Sequence, residues 1–251
     1  KKKAIEYAVK AKRLLKRFSY PGGLYELVIC FNDVMSNKRK YSSYIKVLKK
    51  LIDTIDTERH ECYYARLLVT YGRTICNKNR YEEGLSELIK GMAILEKLSE
   101  YKYMPYVLNS LGYVYSEYYN DMEKAREYYE KCLSVSQKLN DLSSMEKSYN
   151  NIAEIYRIED RYSEAIEYYN KGLQVVNVSR NMMIKALLNI NLIIASIGME
   201  DLKKAALYID ISEELLKSLK DSGNVMQFFY QYKSEFLYAM GEYERAAEYA
   251  Q

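Results

Sequence analysis

The sequence predicts an all-α protein, a right-handed α-solenoid of about thirteen antiparallel helices, and three observations support this class. Two prolines and ten glycines in 251 residues are too few for an all-β chain that turns about every ten residues. A short motif recurs about every forty residues along the whole chain. Between the motifs, apolar residues follow the i, i+3, i+4, i+7 spacing that puts them on one face of a helix.

The repeated motif ends in a small or medium-sized residue and has an aromatic or apolar residue three positions earlier, as in Tyr81 to Gly84. The closing residues lie at positions 4, 44, 84, 125, 165, 205 and 246, so the period is 40 or 41 residues. Each period holds two helical patterns. We therefore expect one solenoid domain over residues 1–251, in which residues 1–18 are the second helix of a truncated repeat. The following repeats cover approximately residues 24–55, 58–99, 104–139, 142–177, 179–219 and 222–251.

Small residues set how the two helices of each pair pack. The first helix has a small residue between large ones, such as Gly112 or Ala153, and the second has one such as Ala125 or Ala165. Small residues at these points let two helix axes approach closely, and large neighbours fill the gaps. The expected boundaries are a break at Pro21-Gly22-Gly23, a helix start at Pro105, and tight turns at Asn120-Asp121 and Gly241-Glu242.

These small residues, with Tyr115 and Tyr156 three positions after Gly112 and Ala153, resemble the tetratricopeptide repeat (TPR). The period of forty exceeds the usual 34 of that family by six residues, which implies longer helices in each pair. The longer unit is similar to the repeats of kinesin light chains and of bacterial signalling regulators. The resemblance implies that the first helices line a concave groove that binds a peptide or a protein segment.

The sequence holds no motif for catalysis or for a cofactor. It has a single histidine, His60, and none of the patterns GxxxxGK[ST], GxGxxG, HExxH or GxSxG. We predict no enzyme activity, no cofactor and no metal site. The 29 tyrosines and four cysteines mostly occupy helical core positions, so packing is their expected role.

The apolar runs and the cysteines indicate in which compartment the protein works. It has no apolar run long enough to span a membrane and no signal segment, and its cysteines are not spaced as a disulfide framework. A cytoplasmic protein without membrane contact is expected. Both ends fall on a second helix without an obvious polar cap, which predicts a longer natural chain. Residues 1–53 carry 14 Lys or Arg and 4 Asp or Glu, a net charge of +10, although the whole chain has only +4.

Asparagines recur at nearly equivalent positions of three successive first helices, at Asn109, Asn150 and Asn189. Asparagine is unfavourable inside a helix, whereas its amide offers both a donor and an acceptor to the backbone of an extended ligand. The alternative is that these amides bridge neighbouring helices. A one-residue register difference would place Asn191 instead of Asn189 on the groove. The predicted ligand-binding residues of the concave groove are Arg73, Asn109, Tyr113, Asn150, Glu154, Arg157 and Asn189.

The repeat length and the asparagines resemble the peptide-pheromone receptors of Gram-positive bacteria, the Rap-type and PlcR-type regulators. The resemblance implies a non-catalytic module that binds a peptide or protein in its groove, as the sensor or interaction region of a larger bacterial signalling or transcription-regulating protein. One alternative is a self-associating scaffold, which would make the chain a homo-oligomer. Another is nucleic-acid binding by the basic residues 1–53, which lacks any base-reading motif and is less favoured.

Overall fold

The computed structural model describes residues 41–219 and 223–250, and α-helices form nearly all of the chain in these ranges. The elements, in order, are α1 Tyr41–Thr54, α2 Thr57–Cys76, α3 Tyr81–Lys97, a 3-10 turn Tyr101–Tyr103, α4 Met104–Glu117, α5 Met122–Leu139, α6 Leu142–Ile158, α7 Tyr162–Ser179, α8 Met182–Gly198, α9 Leu202–Ser218, α10 Gly223–Ala239 and α11 Tyr243–Tyr249. These ranges thus hold eleven α-helices, and the all-α prediction is confirmed. The other two helices of the expected thirteen, and Pro21-Gly22-Gly23, lie outside the described residues.

The chain divides into two compact units within α5: unit 1 ends at Ala125 and unit 2 begins at Arg126. In unit 1, α2 packs against both α1 and α3. The core between α1 and α2 is apolar, with Tyr44, Leu48, Leu67, Tyr71 and Ile75 all buried. The helices α2 and α3 approach closely, since a β-carbon added to Gly72 would lie 2.7 Å from the carbonyl oxygen of Gly84. The predicted close contact of small residues is therefore confirmed for this pair.

In unit 2, α8 packs against α7, α9 and α10 and also touches α6. It is consequently buried on most sides, from Ala186 to Ser196. The second helices bury one stripe only: in α7 the buried residues are Ala165, Tyr169, Gly172 and Val176. This i, i+4, i+7, i+11 spacing is the single apolar face of an amphipathic helix. The layer of α6, α8 and α10 therefore forms one side of unit 2, with α7 and α9 behind it.

The turns follow one design. A residue with positive φ follows eight of the described helices, and these residues are Asn79, Ser99, Asn120, Asn140, Asp160, Arg180, Glu200 and Gly241. In several turns the next residue is Asp or Asn, whose side chain caps the following helix. Asp141 accepts a hydrogen bond from the Ser144 amide, and Asp201 accepts one from the Lys204 amide. Such caps satisfy amide groups that the first helical turn leaves unpaired.

Pro105 lies in the first turn of α4, as predicted. Cys76 and Cys132 are buried, Cys62 is half-buried, and Cys30 lies outside the described residues. The half-buried His60 has φ −132° and kinks the first turn of α2. Across the described ranges, no helix combines the length and apolar character needed to cross a membrane.

Candidate functional site

The most polar part of the first-helix layer in unit 2 is one face of α6. Asn150, Glu154 and Arg157 are spaced i, i+4 and i+7, so their side chains lie one above the other along this face. All three are half-buried. Half-buried polar groups on a helix face keep some access to solvent, while their geometry is set by neighbouring helices.

Glu154 and Arg157 form an ion pair that a tyrosine completes. Arg157 donates from Nε and Nη2 to Oε2 of Glu154, at 3.1 and 3.0 Å. The other carboxylate oxygen accepts a hydrogen bond from the hydroxyl of Tyr169, which comes from α7 and is fully buried. Charge-assisted hydrogen bonds of this kind fix both position and orientation. Within the described residues, Nη1 of Arg157 makes no hydrogen bond.

The electrostatics of this group extend to α10. Burial alone would lower the pKa of Arg157, but the Glu154 carboxylate outweighs it, so the pKa is raised and the charge is held. Burial raises the pKa of Tyr169 well above its ordinary value, and Glu154 adds to the effect. The pKa of the buried Tyr232, on α10, is raised by burial and then by Glu154, with Arg157 opposing. Tyr232 therefore belongs to the same electrostatic group as the α6 pair.

One helical turn away along α6, two asparagines join neighbouring helices. The Asn191 side chain of α8 donates from Nδ2 to Oδ1 of Asn150 at 3.0 Å. Asn150 in turn donates to Oδ1 of Asn151 at 3.3 Å. Asn189 is buried and its amide turns back to the carbonyl of Lys185 at 2.8 Å. The helix-bridging arrangement is thus present, and the bridging residue of α8 is Asn191.

The remaining predicted site residues lie in unit 1. The Arg73 guanidinium lies over the ring of Tyr106, with 4.7 Å between its carbon and the ring centroid. Asn109, on α4, is half-buried. Tyr113 is exposed, and burial of part of its side chain, followed by Glu117, raises its pKa, while Arg73 opposes the shift. Arg73 and Tyr113 are thus electrostatically coupled.

Sequence reasoning assigned Tyr169 to core packing and did not single out Tyr232. No pattern within the repeat marks either hydroxyl, because tyrosine occurs at many core positions of this chain. The sequence could indicate the role of the Tyr169 hydroxyl only through a pair of residues, a carboxylate on the first helix of a repeat and a tyrosine at the facing position of the second helix. Asn191 was available as the alternative register of the third asparagine.

The chemistry of this face suits recognition. It offers a fixed guanidinium and the half-buried amide of Asn150, which can pair with the backbone or polar side chains of a ligand. In the described part of the chain, no group of three His, Cys, Asp or Glu side chains could hold a metal ion.

Comparison with known proteins identifies the family that part of the repeat region matches. Residues 105–139 and 146–175 match the model of the tetratricopeptide repeat family. No curated protein sequence matches the chain. The crystal structure of the apo form of RapI is similar, with a TM-score of 0.72 and 15% identity over 98% of this chain and 87% of that one.

Two further structures give the same result. A Rap protein complexed with Competence and Sporulation Factor has a TM-score of 0.70 and 16% identity, over 98% of this chain and 67% of that one. The apo form of the quorum sensor NprR from B. thuringiensis has a TM-score of 0.68 and 14% identity, over 99% and 73%. At identities this low, the structural similarity establishes the fold alone. The chain is therefore a TPR-like α-solenoid that contains tetratricopeptide repeats and resembles Rap-type and NprR structures in fold.

Proposed function

We propose that the chain is a non-catalytic binding module that recognises an extended peptide, or an extended segment of a protein, on the face formed by α6, α8 and α10. The observation that carries the proposal is the polar group on this face, in which Glu154, Arg157 and Tyr169 hold one another in place beside the amide pair of Asn150 and Asn191. We infer that the module serves a larger cytoplasmic signalling or transcription-regulating protein of a bacterium.

The proposed mechanism is recognition by groups that are already oriented. A ligand carbonyl or carboxylate approaches Nη1 of Arg157, while the other guanidinium nitrogens stay paired with Glu154. Because the guanidinium is held before binding, the Arg157 side chain loses less entropy on binding than a mobile arginine would. The ligand backbone then pairs with the half-buried amide of Asn150, which the buried Asn191 holds in position.

The comparisons support this function by analogy. One of the similar structures is a complex of a Rap protein with Competence and Sporulation Factor, and another is a quorum sensor. Arg73, Asn109 and Tyr113, in unit 1, are proposed separately as ligand contacts of that unit on the repeat pattern of the sequence. Asn189 stays in the proposal as the less favoured member, since its amide already bonds Lys185.

An array of immobilised peptides of random sequence tests the proposal. We expect the protein to bind a subset of them, and the Asn150→Ala variant to bind that subset more weakly by about 1–3 kcal/mol in calorimetry. The matched control is Asn170→Ala, which removes an exposed asparagine from the second helix α7 and should leave affinity unchanged.

Two results would contradict the proposal: no peptide bound above background, or equal effects of the Asn150 and Asn170 changes. A comparison of Asn191→Ala with Asn189→Ala then decides the register on α8. The larger loss of affinity is expected for Asn191, because its amide reaches Asn150.

A further inference from the structure

Four tyrosine rings touch one another at one end of unit 1, where α4 ends and α3 begins. This tyrosine cluster consists of Tyr81, Tyr115, Tyr118 and Tyr119. The rings of Tyr81 and Tyr118 stack with 4.2 Å between centroids, Tyr118 and Tyr119 meet edge to face at 4.9 Å, and Tyr115 and Tyr119 lie 5.5 Å apart. Tyr118 and Tyr119 are 44% and 43% exposed, so the cluster presents aromatic surface to solvent.

The equivalent turn of unit 2 shows what this position of the repeat can hold. Tyr156 is the counterpart of Tyr115, counted from Ala153 and Gly112. Two guanidiniums lie over the Tyr156 ring, those of Arg161 at 4.5 Å and Arg126 at 5.4 Å. Both arginines also pair with the carboxylate of Glu159. The turn in unit 2 thus combines a ring face, a carboxylate and two arginines from its own chain.

Unit 1 has the ring and lacks the arginines. Counted from the small residues of the repeat, Leu85 replaces Arg126, Asp121 replaces Arg161, and Tyr118 replaces Glu159. The Lys124 ammonium lies 4.3 Å from the centre of the Tyr115 ring. Within the described residues, no cation lies over the ring of Tyr118 or Tyr119. Two aromatic faces are therefore left for a cation from elsewhere.

Negative charge adjoins these exposed rings. Burial raises the pKa of Tyr119, and Glu82 is the largest electrostatic contributor. Glu117 acts in the same way on Tyr113, next to the cluster. In the described ranges, neither Glu82 nor Glu117 forms an ion pair. Carboxylates beside π faces attract a cation and repel a phosphate, so the surroundings disfavour a nucleic acid, which needs basic groups around its stacking platform.

We propose that the tyrosine cluster docks an arginine-bearing segment of a partner protein, with a guanidinium over the ring of Tyr118 or Tyr119 and the carboxylates of Glu82 and Glu117 as its counter-charges. Arginine fits better than lysine because its planar guanidinium stacks on a ring while its edge pairs with a carboxylate. Unit 2 makes this arrangement internally, with Arg161 over Tyr156 and against Glu159. The surface is composed of unit 1 residues only and does not depend on peptide binding by α6.

Fluorescence anisotropy with labelled octa-arginine tests the proposal. We expect the double variant Tyr118→Leu/Tyr119→Leu to bind this probe about fivefold more weakly than the unaltered protein, because leucine keeps apolar area and removes the π faces. Tyr101→Leu is the matched control, since it removes another exposed tyrosine of unit 1 and should leave affinity unchanged. The neutral isostere octa-citrulline should not bind.

If the double variant does not fold, as judged by circular dichroism, Glu82→Gln/Glu117→Gln replaces it and should also weaken octa-arginine binding. The proposal is overturned by any of three results. The first is that octa-citrulline and octa-arginine bind equally well. The second is that the tyrosine double variant and the Tyr101→Leu control have equal affinities for octa-arginine. The third is that the protein sediments as a dimer, that the tyrosine variant does not form this dimer, and that octa-arginine does not displace it.

Discussion

Both units contain a tyrosine, a glutamate and an arginine in the same chemical relation, and they differ in burial. In unit 1 the Tyr71 hydroxyl donates to Glu83 at 3.2 Å, and Arg80 pairs with the same carboxylate. The side chains of that pair are 49% and 42% exposed. In unit 2 the corresponding groups are Tyr169, Glu154 and Arg157, and the side chains of the Arg157–Glu154 pair are only 24% and 27% exposed.

The comparison shows that the degree of burial decides how much a tyrosine–glutamate–arginine group contributes to stability. An exposed ion pair contributes roughly 0–1 kcal/mol, because water solvates both charges well without it. A pair largely withdrawn from water depends on its partners, since each group left alone keeps its desolvation cost. The unit 1 group closes a helix turn at the surface. The unit 2 group keeps the half-buried guanidinium of Arg157 in one orientation on α6.

The strongest test of this difference removes each glutamate. We expect Glu154→Ala to lower the free energy of unfolding by about 3 kcal/mol, because it leaves both the Arg157 guanidinium and the buried Tyr169 hydroxyl without their partner. Glu83→Ala should lower it by less than about 1 kcal/mol, since water can replace the exposed carboxylate. Urea unfolding at pH 7 measures both values. Equal losses would mean that burial does not distinguish the two groups.

A second test uses the tyrosine and pH. At pH 7, Tyr169→Phe should cost about 1.5 kcal/mol, the contribution of a hydrogen bond to a charged group. The folded state raises the pKa of Tyr169 above its ordinary value of 10.0, so it favours the neutral phenol. The stability that Tyr169 confers is therefore complete below pH 10 and is lost as the pH rises from there toward the folded-state pKa.

Unfolding of the protein and of the Tyr169→Phe variant at several pH values between 8 and 11 measures this loss. The difference in stability between them should shrink above pH 10. Tyr71→Phe is the unit 1 control, and its difference should change less, because burial and Glu83 raise the pKa of Tyr71 from a less enclosed position. A difference that stays constant for Tyr169 up to pH 11 would contradict the assignment.

The smallest effect concerns the turn that follows the Tyr169 helix. Arg180 is exposed and has φ 59°, a conformation that costs a residue with a β-carbon about 1–2 kcal/mol. Arg180→Gly removes this strain but increases the entropy of the unfolded chain, so a net gain of about 0.5 kcal/mol is expected. In the Glu154→Ala background the same gain should restore part of the lost stability. Asn140→Gly should gain less, since asparagine tolerates positive φ.

The helices were predictable because a repeat states the same information several times. Small residues recur every 40 or 41 positions, and periodic apolar faces link them, so local pattern and packing agree in each period. The turn at Asn120 and the helix start at Pro105 followed from residue type alone. The helix kink at His60 was not predictable, because histidine has no strong backbone preference of its own.

The candidate site was predictable only in part. Glu154 and Arg157 stand out because the equivalent residues in α8, Ile194 and Ile197, are apolar. The hydrogen bond from Asn191 to Asn150 depends on which side of α8 faces α6. A shift of one residue in the register of α8 changes that side, and a sequence pattern does not fix the register so closely. The hydroxyl of Tyr169 depends on a contact between two helices, whereas its ring follows the ordinary core pattern.

The positive-φ residues from Asn79 to Glu200 recur every 20 or 21 positions, which is half the period of the motif. This spacing bears on how the gene can change in length. A duplication or deletion can run from one such residue to the next but one. It then adds or removes about forty residues and keeps each later helix in its own layer. One that ends at the very next such residue moves about twenty residues, and every helix beyond it would pass from the first-helix layer to the second-helix layer or the reverse. We therefore expect relatives of this chain to differ in length by whole pairs of helices.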